Sequence, residues 1–129
     1  MPPQILVIDD SKAVRLIIKK VLAPFACVVN EATNGFTGLF AMERALPDLL
    51  LIDVSMPTMD GVEMLTMLKS NPQLSQIPVI MLTSSTDHKV LPRITALGVN
   101  AMLKKPFTEA IALETIRTAI KLKPVKSAS

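Results

Sequence analysis

Short, unbroken apolar runs of strand length recur along this chain, and a segment of helical periodicity follows each one. No other feature of the sequence leaves so few folds open. Ile5-Leu6-Val7-Ile8 and Leu49-Leu50-Leu51-Ile52 are apolar at every position, as are Val79-Ile80-Met81-Leu82 after Pro78. A strand with no polar side is buried on both faces, which is the mark of a parallel sheet covered by helices. Cys27-Val28-Val29, reaching roughly to Ala32, and the short Ala101-Met102-Leu103 complete five strands. Between them lie helical stretches. Val14, Ile17, Ile18, Val21 and Leu22 recur at helical spacing and stop before Pro24. Asn34-Gly35 turns into a weaker helix through Phe36, Phe40 and Met42, where the internal Gly38 costs ~1 kcal/mol relative to alanine. Asp60 stands three residues before Glu63, a capping-box spacing, and starts a helix carrying Val62, Leu65 and Leu68. The polar stretch Thr83 to Asp87 opens a helix through Val90, Ile94 and Leu97, with Pro92 in its first turn and Gly98 closing it. The last helix uses Ala112, Ile116, Ala119 and Ile120 and ends near Pro124. Strict β-α alternation with right-handed crossovers predicts an α/β fold: a doubly wound, five-stranded parallel sheet of order 2-1-3-4-5.

At 129 residues the chain is one domain, long enough to bury a core without staples. Four Phe and no Tyr or Trp make that core aliphatic, with eight Met as filler. A single cysteine excludes an internal disulfide, and Cys27 reads as a buried strand residue. No apolar run approaches the ~18 residues of a membrane span, and Asp9-Asp10 interrupts the chain before any signal-peptide core. The expected location is cytoplasmic, without membrane insertion. A net charge of +3 would suggest nucleic acid only if the basic residues clustered beside a reading element. Lys12, Arg15, Lys19 and Lys20 read instead as a solvated helix face, and Lys121, Lys123 and Lys126 as a frayed end. The predicted organisation is a domain over 1–123 and a short flexible basic tail over 124–129. His88, beside the cap Asp87, reads as exposed.

In doubly wound sheets the site lies beyond the carboxyl ends of the strands, where strand order reverses. Those ends are Asp9 and Asp10 after the first strand, Asp53 after the third, Thr83 after the fourth and Lys105 after the fifth. Any one aspartate could simply cap the helix that follows it. Five such positions converging on one crevice read as a site. Carboxylates ~4 Å apart repel by roughly 4 kcal/mol per pair at an effective dielectric of 20, so the cluster calls for the lysine and a hard cation. Oxygen-only ligands suit Mg2+; one Cys and one His, far apart, do not make a zinc site. No glycine-rich phosphate loop follows the first strand, and an Asp-Asp pair repels the phosphate of a flavin nucleotide. The chemistry these residues suit is phosphoryl transfer onto a carboxylate, with Asp53 as nucleophile and Lys105 with Mg2+ neutralising the equatorial oxygens.

Val7-Ile8-Asp9-Asp10-Ser11, Glu31-Ala32 with Asn34-Gly35, Asp48 to Asp53, Met56-Pro57 with Met59-Asp60-Gly61, Pro78 to Thr83 and Lys105-Pro106-Phe107 follow one another in that order. Over essentially its whole length the chain resembles the receiver domain of two-component response regulators. The resemblance implies the flavodoxin-like receiver fold and a phosphoprotein whose Asp53 accepts a phosphoryl group from a histidine kinase or histidine phosphotransfer protein. It implies Mg2+ held by Asp10 and Asp53 directly, by Asp9 through water and by the main-chain carbonyl of Ser55. Thr83 would then bond the phosphoryl group, Lys105 would pair with it, and Lys105-Pro106 would be cis. Lys104 is the rival lysine, which strand alternation points to the opposite face. A domain of this kind is a switched binding module rather than an enzyme, apart from slow self-dephosphorylation, and it acts on an output protein. Two positions depart from the pattern. Met102 stands where the family usually places the Tyr or Phe of a switch coupled to Thr83, and Ser84 stands where it favours a very small residue. The expected protein is a stand-alone, chemotaxis-type receiver. The competing readings are the front of a longer regulator, a Mg2+-dependent phosphatase or phosphotransferase, which tends to want D-x-D after the first strand, and a constitutive pseudo-receiver.

Overall fold

The computed structural model describes residues 2–125. Strands β1 (Gln4–Ile8), β2 (Val28–Ala32), β3 (Leu49–Asp53), β4 (Val79–Thr83) and β5 (Ala101–Lys104) alternate with helices α1 (Lys12–Leu22), α2 (Gly35–Arg44), α3 (Gly61–Lys69), α4 (Leu91–Leu97) and α5 (Glu109–Ala119). All neighbouring strands pair in parallel in the order β2-β1-β3-β4-β5, as the alternation predicts. Every residue of β3 and β4 is buried. Successive side chains take opposite faces. Ile5, Val7, Leu49, Leu51, Ile80 and Leu82 therefore meet Ile18, Leu22 and Ile116 of α1 and α5. Leu6, Ile8, Leu50, Ile52, Val79 and Met81 meet Met64, Leu65 and Ile94 on the other side.

Caps fix where the helices begin. Ser11 Oγ accepts from Val14 N–H, Asn34 Oδ1 from Thr37 N–H and Asp60 Oδ1 from Glu63 N–H, each satisfying a donor the helix leaves unpaired. Asp60 N–H donates in return to Glu63 Oε1, the predicted capping box. The helix expected after Thr83 begins more tightly, as a 3-10 segment over Ser85–Val90 that passes into α4 with Pro92 near its start. Gly98 ends α4 at φ 94°, left-handed backbone that glycine adopts without a Cβ penalty.

Four expectations need correction. Phe36 and Phe40 do not face the core: they are 48% and 67% exposed. The reason is Gly38, which brings α2 so close to β1 that a Cβ there would lie 2.6 Å from Ile8 Cδ1, so the helix buries its glycines and Met42 instead. Cys27 precedes β2 and is half-buried, with burial holding its thiol above the usual range. Arg15 is not part of a solvated face, being 12% exposed and bonded inward. Finally, α5 ends at Ala119, short of Pro124. The chain then extends back along the loop after α1: Ala26 N–H donates to Lys123 O at 2.7 Å and Val125 N–H to Pro24 O at 2.8 Å. The proposed tail over 124–129 thus begins in a short bridge, and Lys126 onward lies outside the described residues.

Candidate functional site

The parallel strands deliver their last residues to one edge of the sheet, and the candidate residues come with them. Asp9 follows β1 with no exposed surface; Asp53 ends β3 at 4% and Thr83 ends β4 at 6%. Asp10, next to Asp9, is exposed. Carboxylate oxygens of Asp9, Asp10 and Asp53 lie within 4.8 Å of one another. Lys105 follows β5 through a cis bond to Pro106 and reaches into the cluster, with Nζ 2.8 Å from Asp9 Oδ2 and 2.9 Å from Asp53 Oδ1. Lys104 is exposed and takes no part. Lys105 N–H donates to Thr83 O at 2.7 Å, which anchors the lysine segment beside β4.

Electrostatics mark Asp53 as the unusual group. Burial raises its carboxyl from the ordinary 3.8 to about 6; Lys105 opposes this, while the Asp9 charge adds to it. Burial works against the Lys105 ammonium as well, but Asp9 and Asp53 overcome it and hold the group above its ordinary value. Three carboxylates face one ammonium, leaving two negative charges without a partner. Asp9 Oδ2 is buried and, although close to Lys105, receives no hydrogen bond of good geometry. A divalent cation fits this donor set. Its ligands are all oxygen, its charge matches the deficit, and a buried carboxylate oxygen is left to be satisfied.

Three supports were not legible in the sequence. Arg15 of α1 donates from Nη1 to Asp9 O at 2.6 Å and from Nε to Glu31 at 2.9 Å, fixing the main chain of the acidic pair. Ser11 N–H donates to Asp9 Oδ1 at 2.8 Å. Asp87, anticipated as a cap, also accepts from Ser55 Oγ at 3.1 Å across two loops. Arg15 stands four residues before Lys19, and both reach Glu31, so the i, i+4 spacing was the available signal. Met102 lies on the sheet face that packs against α3 and α4, half-buried beside the apolar cluster there.

A parallel sheet of this order with an acidic triad and a lysine at its carboxyl edge defines a class of phosphoacceptor domains. The response regulator receiver domain model matches residues 5–117, and the chain belongs to that family. It is 30% identical over 114 residues to the chemotaxis protein CheY-3 of Vibrio cholerae, covering 88% of each chain. It is 32% identical over 120 residues to the sensor histidine kinase CheAY of Helicobacter pylori, covering 92% of this chain but only 15% of that much longer one. The chemotaxis response regulator CheY4 of Vibrio cholerae superposes with a TM-score of 0.85 at 28% identity, over 93% of this chain and all of the other. The chain is thus a receiver with a phosphoacceptor role in two-component signalling. Among the described residues no helix is long and apolar enough to cross a membrane.

Proposed function

We propose that Asp53 is the phosphoacceptor, and that this cytoplasmic receiver takes its phosphoryl group from the phosphohistidine of a kinase or phosphotransfer protein. The observation that carries this is a buried carboxylate at the end of β3, bonded by Lys105 and flanked by Asp9 and Asp10. In the transfer, an Asp53 oxygen attacks phosphorus, the bond to the histidine nitrogen breaks, and that nitrogen leaves with the electron pair. Above about pH 6 the nucleophile is ionised without help. Lys105, bridging Asp9 and Asp53, keeps the carboxylate oriented and meets charge on the incoming group. Asp10 and Asp53 would hold Mg2+ directly, with Asp9 through water and the Ser55 carbonyl. Bound there, Mg2+ supplies the positive charge that draws the phosphoryl oxygens to an otherwise repelling acidic pocket. Thr83 bonds the phosphoryl group and Met102 moves with it; slow hydrolysis of the acyl phosphate then resets the domain. The output is a protein bound through the switched surface.

The test is intact mass after incubation with acetyl phosphate and Mg2+. One added phosphoryl group, absent from Asp53→Asn and from Asp10→Ala, is expected. Turnover of phosphomonoesters would identify a phosphatase instead. Labelling that persists in Asp53→Asn refutes the assignment.

A further inference from the structure

Asp87 does more than begin a turn. A capping box uses its acid to accept from one backbone N–H. Asp87 is 7% exposed and uses both oxygens. Oδ2 accepts from Ser84 N–H at 2.7 Å and from Ser84 Oγ at 3.0 Å. Oδ1 accepts from Ser55 Oγ at 3.1 Å, thirty-two residues away. No lysine or arginine pairs with it among the described residues, so these hydroxyl and amide donors are what satisfy the buried charge.

The two segments it joins flank the phosphoacceptor. Ser55 lies two residues after Asp53, in the loop that leaves β3. Ser84 directly follows Thr83. A hydrogen-bonded bridge therefore runs from Ser55, two residues past Asp53, across Asp87 to Ser84 beside the switch threonine. We infer that Asp87 is a positioning residue that latches the Asp53–Ser55 loop to the Thr83–Ser84 segment and restrains the movement of Thr83 toward a phosphorylated Asp53. This rests on the assignment of Asp53 as phosphoacceptor. A ligand shifts a two-state element only by its difference in affinity for the two states. Whatever the latch adds to the unphosphorylated state must be overcome before the switch is thrown.

Ser55→Ala removes the cross-loop bond while keeping the main-chain carbonyl of residue 55 and both Ser84 bonds. The probe is beryllofluoride with Mg2+, followed by amide chemical shifts of β4, β5 and α4. Ser55→Ala is expected to lower the beryllofluoride concentration at half-maximal shift by about fivefold, the scale of one hydrogen bond. Asp87→Ala should lower it at least as far, and Asp87→Asn, which keeps an acceptor for Ser84 and a polar partner for Ser55, should restore most of the wild-type midpoint. Combining Ser55→Ala with Asp87→Ala should add nothing beyond Asp87→Ala, since both cut one path. A general loosening of the fold would not produce that non-additivity. An unchanged or raised midpoint in Ser55→Ala, or strictly additive effects, overturns the latch. Should wild type itself show no beryllofluoride response, the assignment of Asp53 fails first and the latch with it.

Discussion

Replacing Asp53 by asparagine should make the metal-free protein more stable, and the gain should depend on pH in a defined direction. The Asp53 carboxyl is raised from 3.8 to about 6 by burial and by Asp9, against the pull of Lys105. The folded protein therefore binds this proton more tightly than the unfolded chain does. Between about pH 4 and 6 the folded state carries the extra proton, so stability falls as pH rises through that window. Above it the penalty is complete. A displacement of this size corresponds to ~3 kcal/mol, or ~10 °C in melting temperature for a domain of this length. The asparagine side chain occupies the same space and can still accept from Lys105, so the variant removes the charge and little else.

Urea unfolding in chelator, followed by far-UV circular dichroism because the chain has no Trp or Tyr, measures this directly. At pH 7.5 Asp53→Asn should exceed wild type by roughly 2–3 kcal/mol. At pH 4 the difference should shrink to ~0.5 kcal/mol, because only the unfolded carboxyl has begun to ionise and most of the penalty accrues at higher pH. Other titrating groups, such as Glu31, which Lys19 and Arg15 hold below its ordinary value despite burial, are common to both proteins and cancel. Adding Mg2+ should stabilise wild type more than the variant, since a cation that binds only the folded state adds stability by mass action. A difference that does not vary with pH, or a variant less stable at pH 7.5, would refute the account of this site as a repelling cluster.

Lys105→Ala should still take a phosphoryl group from acetyl phosphate but respond poorly to it in chemical-shift changes, whereas Lys104→Ala should match wild type; the reverse pair of phenotypes would misplace the lysine. Gly61→Ala should lose more than ~2 kcal/mol in urea unfolding, because the new Cβ collides with the Asp53 carbonyl and Val54 Cα, backbone atoms that cannot step aside; a loss under ~0.5 kcal/mol would show that the loop yields. Met102→Tyr should sharpen the beryllofluoride-dependent shift of the α4–β5–α5 face, a ring packing more specifically than a flexible thioether. If wild type already switches completely and Met102→Ala does so equally well, residue 102 transmits nothing.

What could be read from the sequence divides along a physical line. A parallel strand announces itself because both its faces are buried, so Leu49 to Ile52 can be nothing but apolar, and the ends of such strands name the site without coordinates. Asp9, Asp53, Thr83 and Lys105 were legible because backbone topology alone brings them together. Interactions that depend on helix rotation or on loop-to-loop distance leave no such periodic trace. Phe36 and Phe40 carry the apolar spacing of a buried face, yet the absent side chain of Gly38 decides which way α2 turns. Arg15 looks like one more basic residue on α1 until its guanidinium is seen on the Asp9 carbonyl. Asp87 has the spacing of a cap, and only its second oxygen, on Ser55, ties it to the loop after Asp53. The strand ends thus assemble the charged centre, while its rigidity comes from polar contacts made by side chains whose local pattern suggests a blander role. Substitutions at Arg15, Ser55 or Asp87 are therefore where two receivers with the same acidic triad and lysine can differ in how readily they switch.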